Sequence, residues 1–349
     1  MRPLGRLVAG LSVFAVLGFP IAGPQAGAQN PPQTELAAAG ATFPAPVYQK
    51  WFAAFAQKHA GIRIRYDAVG SENGMQRFAK GEVDFAATDM PLSDQMLAQL
   101  GRKAFHFATV LGAVVPVYNV SGLQRDLRFT PEILAAIYLG KITKWNDPQI
   151  RAVNHGAALP NAEIAVMYRT DGSGTSFVWT DYLSKVSSEW KTAVGTGATV
   201  RWPVGSGGEY NEGVAQRVQE TPNSIGYVEF IYAIQHKLNY GSVRNSAGRF
   251  IQADLPTLTA AAAGASAGMG ADFRISITNA AGRDSYPIAT FTWFLLPQTF
   301  NQAAKKAAVE ELLHWVLSSG QKECSALGYA PLPDEIAARE SQLVDSMKP

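Results

Sequence analysis

Short apolar runs alternate with amphipathic stripes along the chain, which is the pattern of an α/β fold. Val47, Trp51, Phe52 and Phe55 recur at helical spacing after Thr42-Phe43-Pro44 and predict a helix buried along one stripe. Ile62, Ile64, Tyr66 and Ala68 then alternate as in a half-buried strand that ends at Gly70-Ser71. A short helix to about Lys80, a strand from Val83 to Ala87 and a helix capped by Ser93 follow. The unbroken run Val110 to Val117 predicts a buried strand. Thr130-Pro131-Glu132 opens a helix with a cap, a proline in the first turn and an acid at the positive end.

Farther on, a strand from Glu163 to Tyr168 delivers the chain to a glycine-rich turn, and the helix after it runs to about Val186. The pattern then predicts a strand Arg201 to Val204, a helix Glu212 to Glu220, a strand Ile225 to Val228 and a helix Phe230 to Leu238. Tyr286 to Leu296 reads as another strand, and Gln302 to Leu317 as an amphipathic helix ended by Gly320. Alternation of this kind makes a parallel sheet the expectation. Residues 259–270 are mostly alanine and glycine, and both a thin helix and a flexible surface segment fit them. No internal repeat or low-complexity tract interrupts the pattern.

The first residues differ from this body. Arg2 and Arg6 precede an apolar stretch from Leu7 to about Ala22, and Ala26-Gly27-Ala28 places small residues where a signal peptidase cuts. Residues 1–28 are therefore expected to be a cleaved signal peptide. The alternative is an uncleaved anchor, but Gly18, Pro20, Gly23 and Pro24 shorten the apolar run below a comfortable span. No later run reaches 18 apolar residues, so a soluble protein exported to a bacterial periplasm is expected, with secretion into the medium as the lesser option. Cys324 is the only cysteine, which leaves no lipobox near the cleavage site and no intramolecular disulfide.

The remainder, roughly 320 residues, suits two lobes better than one core. With Arg2 and Arg6 removed, 28 basic residues face 28 acidic ones. That balance gives no long-range basic field of the kind nucleic acid requires, so any anion site must be built locally.

The strand-to-helix turn Tyr168-Arg169-Thr170-Asp171-Gly172-Ser173-Gly174-Thr175-Ser176 is the candidate. Its glycines let the backbone approach a ligand while the next helix aims free N–H groups at it. Ser173 and Thr175 add hydroxyls, and Arg169 offers a planar fork of donors. The plainer reading, a helix capped by Asp171 or Ser173 and a surface ion pair at Arg169, serves a lone turn equally well. The turn has neither the spacing of a nucleotide P-loop nor that of a hydrolase elbow. Thr42-Phe43-Pro44, Gly70-Ser71 and Thr88-Asp89 have matching polarity, each a structural cap if taken alone.

Taken together, Ala39-Gly40-Ala41-Thr42-Phe43-Pro44-Ala45-Pro46-Val47-Tyr48 and Asp171-Gly172-Ser173-Gly174-Thr175-Ser176-Phe177 resemble the two signature segments of periplasmic phosphate-binding proteins, which feed the high-affinity phosphate ABC transporter. Residues 85–94, 137–147, Gly226-Tyr227-Val228-Glu229 and Tyr329-Ala330-Pro331-Leu332-Pro333 extend the likeness over nearly the whole chain. The resemblance implies the two-lobed periplasmic binding protein fold of type II, with residues 29–109 plus 287–349 in lobe I, 110–286 in lobe II, and crossings near Val110 and Tyr286. It implies phosphate contacts from the Thr42 hydroxyl, the Phe43 N–H, Ser71 and Asp89 on one side, and from Arg169, Ser173, the Gly174 N–H and Thr175 on the other. It further implies a monomer without cofactor or metal, whose partners are inorganic phosphate and the membrane permease subunits.

Asp89 bears on specificity. A carboxylate only accepts hydrogen bonds; hydrogen phosphate brings a proton to it, whereas sulfate does not. The chain departs from the family at Glu72-Asn73, where serine or glycine is common. Glu72 is expected to project into solvent from the first turn of its helix, with an inward orientation as the alternative. A phosphatase would need a metal cluster or an activated nucleophile, and the histidines at 59, 106, 155, 236 and 314 are scattered without metal-ligand spacing. Binding of a related oxyanion such as a phosphonate, and an adhesin or secreted phosphatase reusing the scaffold, are the competing readings.

Overall fold

The computed structural model describes residues 33–123, 126–265, 268, 270 and 273–347; the expected signal peptide lies outside them. Its strands are β1 (Thr34–Gly40), β2 (Ile62–Ala68), β3 (Phe85–Thr88), β4 (Ala104–Asn119), β5 (Arg128–Phe129), β6 (Ala165–Arg169), β7 (Ser206–Gly208), β8 (Ser224–Glu229), β9 (Asn239–Tyr240), β10 (Ser242–Arg244), β11 (Phe250–Ile251) and β12 (Ala289–Pro297). Among the described residues the main sheet is nine-stranded, in the order β2-β1-β3-β12-β4-β8-β6-β7 with β9 also on β4, and β11-β10-β5 form a small second sheet.

The expected parallel arrangement holds only at the flanks. β1 pairs in parallel with β2 and β3, and β6 in parallel with β7 and β8. The centre is antiparallel, because β12 arrives from the far end of the chain and inserts between β3 and β4 against the direction of both. The 16-residue β4 carries both ladders: Ala104 to Ala113 face β12, and Val114 to Asn119 face β8.

Helices cover the sheet where the apolar stripes predict. The helix Ala45–Lys58 buries Val47, Tyr48, Trp51, Phe52 and Phe55. Tyr48 packs 4.7 Å from Phe294, centroid to centroid, and Phe294 lies 4.9 Å from Phe85, so helix, β12 and β3 share one aromatic core. Ser93 and Thr130 cap their helices by accepting from Met96 N–H at 3.2 Å and Ile133 N–H at 3.3 Å. Residues Leu255–Ala265 are helical, which decides the first part of the alanine-rich stretch.

Two expectations are corrected. Arg201 to Val204 form no strand; Pro203 has no N–H for a ladder, and Trp202 instead stacks on Tyr168 with centroids 5.1 Å apart, so the strand here is β7. Gly320 does not stop the helix that begins at Ala303. The helix Ala303–Trp315 passes through a π-helical turn, Val316–Gly320, into the helix Gln321–Cys324, with Gly320 at an ordinary helical φ of −61°. The site is tightly packed: a Cβ would lie 3.1 Å from the Trp315 ring and 3.2 Å from that of Trp51, whose Nε1–H donates to Gly320 O at 2.9 Å. Cys324 follows directly, fully buried, with its thiol pushed up to about 12 by desolvation, so its reactive thiolate is suppressed.

Candidate functional site

All eight residues expected to contact the ligand converge, and all are buried. They are delivered by the ends of β1, β3 and β6 and by the turn after β2, the places where a strand hands over to a helix.

The segment after β6 is the cradle. Ser173 caps the 13-residue helix Gly174–Val186, its Oγ accepting from Ser176 N–H at 3.1 Å. The first N–H groups of the helix, those of Gly174 and Thr175, have no intrahelical acceptor by geometry and lie at the positive end of its dipole. Ser173 is thus both the cap of the plainer reading and a hydroxyl with its own proton to donate. Arg169, 3% exposed, donates from Nε to Asp171 Oδ1 at 2.7 Å and from Nη2 to Asp171 Oδ2 at 2.5 Å. This fork fixes the guanidinium plane, and Nη1 reaches Thr175 Oγ1 at 3.4 Å. Asp171 also accepts from Tyr210 N–H at 2.9 Å, so it positions the arginine and does not cap the helix.

The opposing wall comes from the N-terminal third. Asp89 N–H donates to Ser71 Oγ at 3.4 Å, and Asp89 Oδ1 accepts from Thr292 Oγ1–H at 2.8 Å. The turn-forming role that a plain reading gives Asp89 belongs to Thr88, whose Oγ1 accepts from Met90 N–H at 3.0 Å. Asp89 Oδ2 is aimed at the cradle: a Cβ placed on Gly174 would sit 2.5 Å from it and 2.4 Å from Ser71 Oγ. Burial pushes the Asp89 carboxyl up to about 7, against the opposing effects of the Thr292 bond and the Arg169 charge. Nearby, Glu229 Oε2 accepts from Ile231 N–H at 2.8 Å, and complete burial holds its carboxyl well above the usual range.

Thr42 and Phe43 complete the enclosure. Tyr232 OH donates to Thr42 O at 2.8 Å, and because a trans peptide points its C=O and N–H in opposite directions, this aims the Phe43 N–H away from Tyr232. Tyr329 OH donates to Phe43 O at 2.6 Å, which gives one segment of the sequence resemblance a physical task. Another segment contributes Tyr227, whose hydroxyl accepts from Arg169 N–H at 3.2 Å and lies 2.6 Å from Ser176 Oγ. Sequence reasoning missed Asn211, Thr292 and Tyr232, each of which acts through a contact distant in the chain.

Glu72 follows neither orientation considered for it. Its N–H donates to Gly172 O at 3.1 Å, its side chain lies where a Cβ on Gly172 would be, and Oε2 accepts from Thr199 Oγ1–H at 3.1 Å. It spans from the N-terminal wall to the cradle segment along the rim. One half-exposed hydrogen bond of this kind is worth about 1 kcal/mol, so Glu72→Ser is expected to change phosphate affinity by less than about fivefold. A clear gain by calorimetry would place the carboxylate inside the site.

Strand-to-helix turns that close an oxyanion cradle between two walls define a two-lobed substrate-binding protein. A family model of the PBP superfamily domain matches residues 25–319. The chain is 42% identical over 299 residues to the phosphate-binding protein PstS of Pasteurella multocida, covering 85% of this chain and 86% of that one. It is 40% identical over 316 residues to the phosphate-binding protein PstS of Haemophilus influenzae, covering 89% and 92%. The crystal structure of a phosphate-binding protein from Stenotrophomonas maltophilia has the same fold, with a TM-score of 0.67 at 18% identity over 88% of this chain and 93% of that one. The chain belongs to the PstS family of phosphate-binding proteins.

Proposed function

We propose that the protein binds inorganic phosphate with high affinity in the periplasm and delivers it to the permease of an ABC transporter for import, without catalysing a reaction. The observation that carries this reading is the polarity of the enclosed site. Arg169, the Phe43, Gly174 and Thr175 amides and four hydroxyls are available as donors, against one carboxylate, Asp89, aimed at the same point. That arrangement suits a tetrahedral oxyanion that carries a proton. The relatives' name as phosphate-binding proteins agrees with it.

The partition into lobe I, residues 29–109 plus 287–349, and lobe II, residues 110–286, belongs to the same proposal. It is supported by β4, which exchanges β12 for β8 between Ala113 and Val114, and by Tyr286 OH donating to Val114 O at 3.0 Å beside that exchange. Thr42, Phe43, Ser71 and Asp89 then face Arg169, Ser173, Gly174 and Thr175 across the cleft, so ligand binding favours closure. Residues 1–28 act as the export signal and are removed, and the mature chain works as a monomer. Titration of that mature chain with phosphate, sulfate and phosphonates, followed by tryptophan fluorescence and checked by calorimetry, tests the reading. Failure to bind any of them overturns it.

The Asp89 carboxyl supplies a sharper test. Above pH 7 it is ionised and presents lone pairs that sulfate cannot satisfy; below about 7 it is protonated and can donate to sulfate. Sulfate affinity is therefore expected to rise about tenfold for each pH unit on descending toward 7 and to level off below it. Asp89→Asn, which carries N–H donors at every pH, is expected to abolish that dependence and to narrow the preference for phosphate over sulfate. An unchanged ratio of the two affinities in Asp89→Asn, measured at pH 8, removes Asp89 from the discrimination.

A further inference from the structure

We propose that Asn211 is a positioning residue that keeps the hydroxyl protons of Thr42 and Thr175 available to the ligand; the proposal rests on the phosphate reading above. Asn211 is fully buried in the first turn of the helix Tyr210–Glu220, and its carboxamide is the only side chain that touches both walls' threonines among the hydrogen bonds of the described residues. Nδ2–H donates to Thr42 Oγ1 at 3.0 Å and to Thr175 Oγ1 at 3.1 Å, using both amide hydrogens.

The orientation of the carboxamide is set by its other end. Oδ1 accepts from the backbone N–H of Glu229 at 2.9 Å. Rotating the amide by half a turn would set NH₂ against that N–H, two donors face to face, so the backbone of β8 decides which end of Asn211 donates. Each threonine hydroxyl has one proton and two lone pairs. Asn211 occupies a lone pair on Thr42, and on Thr175 the second lone pair is taken by Arg169 Nη1 at 3.4 Å. Neither hydroxyl can then direct its own proton at Asn211: with both lone pairs taken, Thr175 has only its proton left for the cradle, while Thr42 keeps its proton and one lone pair, of which an oxyanion selects the proton. In the absence of this constraint the hydroxyls rotate freely, and ordering them falls to the ligand at a cost in affinity.

This role differs from that of a ligand contact and from that of a packing residue. It makes Thr175 an obligate donor and leaves the Thr42 proton free to donate, with Asp89 as the acceptor that reads the ligand's proton. It also predicts a specific failure of additivity, because Asn211 acts only through the two hydroxyls.

The test is a mutant cycle on the mature full-length chain, with inorganic phosphate as the probe in calorimetry at fixed pH and ionic strength. Asn211→Leu, close in volume but without donors, is expected to weaken phosphate binding about tenfold or more. In a Thr42→Val/Thr175→Val background, which has no hydroxyl left to orient, the same Asn211→Leu change is expected to alter affinity by less than about twofold. A purely structural asparagine would give the same loss in both backgrounds, and that additivity overturns the proposal. If circular dichroism shows Asn211→Leu to be unfolded, Asn211→Ala removes the same amide without overfilling the site and enters the same cycle, with the same two readings. Absence of phosphate binding by the unmutated chain would instead refute the functional reading on which the proposal stands.

Discussion

Gly174→Ala is expected to reduce phosphate affinity by about a hundredfold or more with a much smaller effect on stability. Gly174 occupies the first position of its helix with no left-handed backbone angle, so alanine suits the local conformation, and its lower freedom in the unfolded chain stabilises by up to about 1 kcal/mol. The added methyl, however, would stand 2.4 Å from Ser71 Oγ, 2.5 Å from Asp89 Oδ2 and 2.8 Å from Asp89 Cβ. Real carbon and oxygen atoms do not approach that closely, and none of the three is the free end of a mobile chain: Ser71 and Asp89 are at most 1% exposed and tied to each other and to Thr292. The walls must separate by several tenths of an ångström, which lengthens the contacts of both at once and takes hydrogen bonds out of their useful range. Thermal unfolding and calorimetry on the same sample separate the two effects. A parallel loss of melting temperature and affinity would mean that Gly174 is needed for folding and not for closure.

Arg169→Met should abolish phosphate binding at micromolar concentrations. The guanidinium is the strongest positive group facing the cradle, and loss of its charge-assisted bonds to a dianion costs on the order of 1.5–3 kcal/mol for each bond. A further cost falls on Asp171, whose carboxylate would keep only Tyr210 N–H as a partner; removing one member of a buried pair typically costs about 3–5 kcal/mol. The two consequences can be separated. Arg169→Met/Asp171→Asn removes the uncompensated charge, so the melting temperature is expected to recover while phosphate affinity does not. Recovery of affinity in the double variant would show that Arg169 serves Asp171 and not the ligand.

The site is legible in the sequence where its parts are contiguous and obscure where they are not. A cradle made by a strand end, a glycine-rich turn and a helix start is written in consecutive residues, so Arg169 to Thr175 can be read as one on local chemistry, whereas Thr42-Phe43 passes for a plain cap until the resemblance is drawn. Asn211 does not, because an asparagine in the first turn of a helix reads as an ordinary capping residue, and its partners are 169 and 36 positions away. Thr292 is one of two threonines inside an apolar strand, and nothing local ties it to Asp89, 203 positions earlier.

The fold shows the same division. Helical stripes and alternating strands are visible, but β1 is hidden in Leu36-Ala37-Ala38-Ala39-Gly40, a composition that favours helix. The reason for those small residues lies across the sheet. A Cβ on Gly74 would fall 2.3 Å from Gly40 Cα and 2.6 Å from Ala39 O, so the helix Ser71–Ala79 packs directly onto the backbone of β1. The antiparallel centre was equally hidden, since no periodicity tells that β12, far along the chain, inserts beside β4. Glu72 was misjudged because only the facing segment, with Gly172 and Thr199, supplies its partners.

The continuous course of β4 from one ladder to the other bears on how much conformational entropy is lost when a ligand is captured. A slack tether would let the halves sample many relative orientations, and each capture would have to suppress that freedom at the expense of affinity. On the proposed partition into lobes, a hydrogen-bonded strand would restrict the halves beforehand to bending and twisting about a few residues near Ala113 and Val114. On that proposal less disorder is left for capture to remove, and more of the interaction at the cradle is expressed as grip.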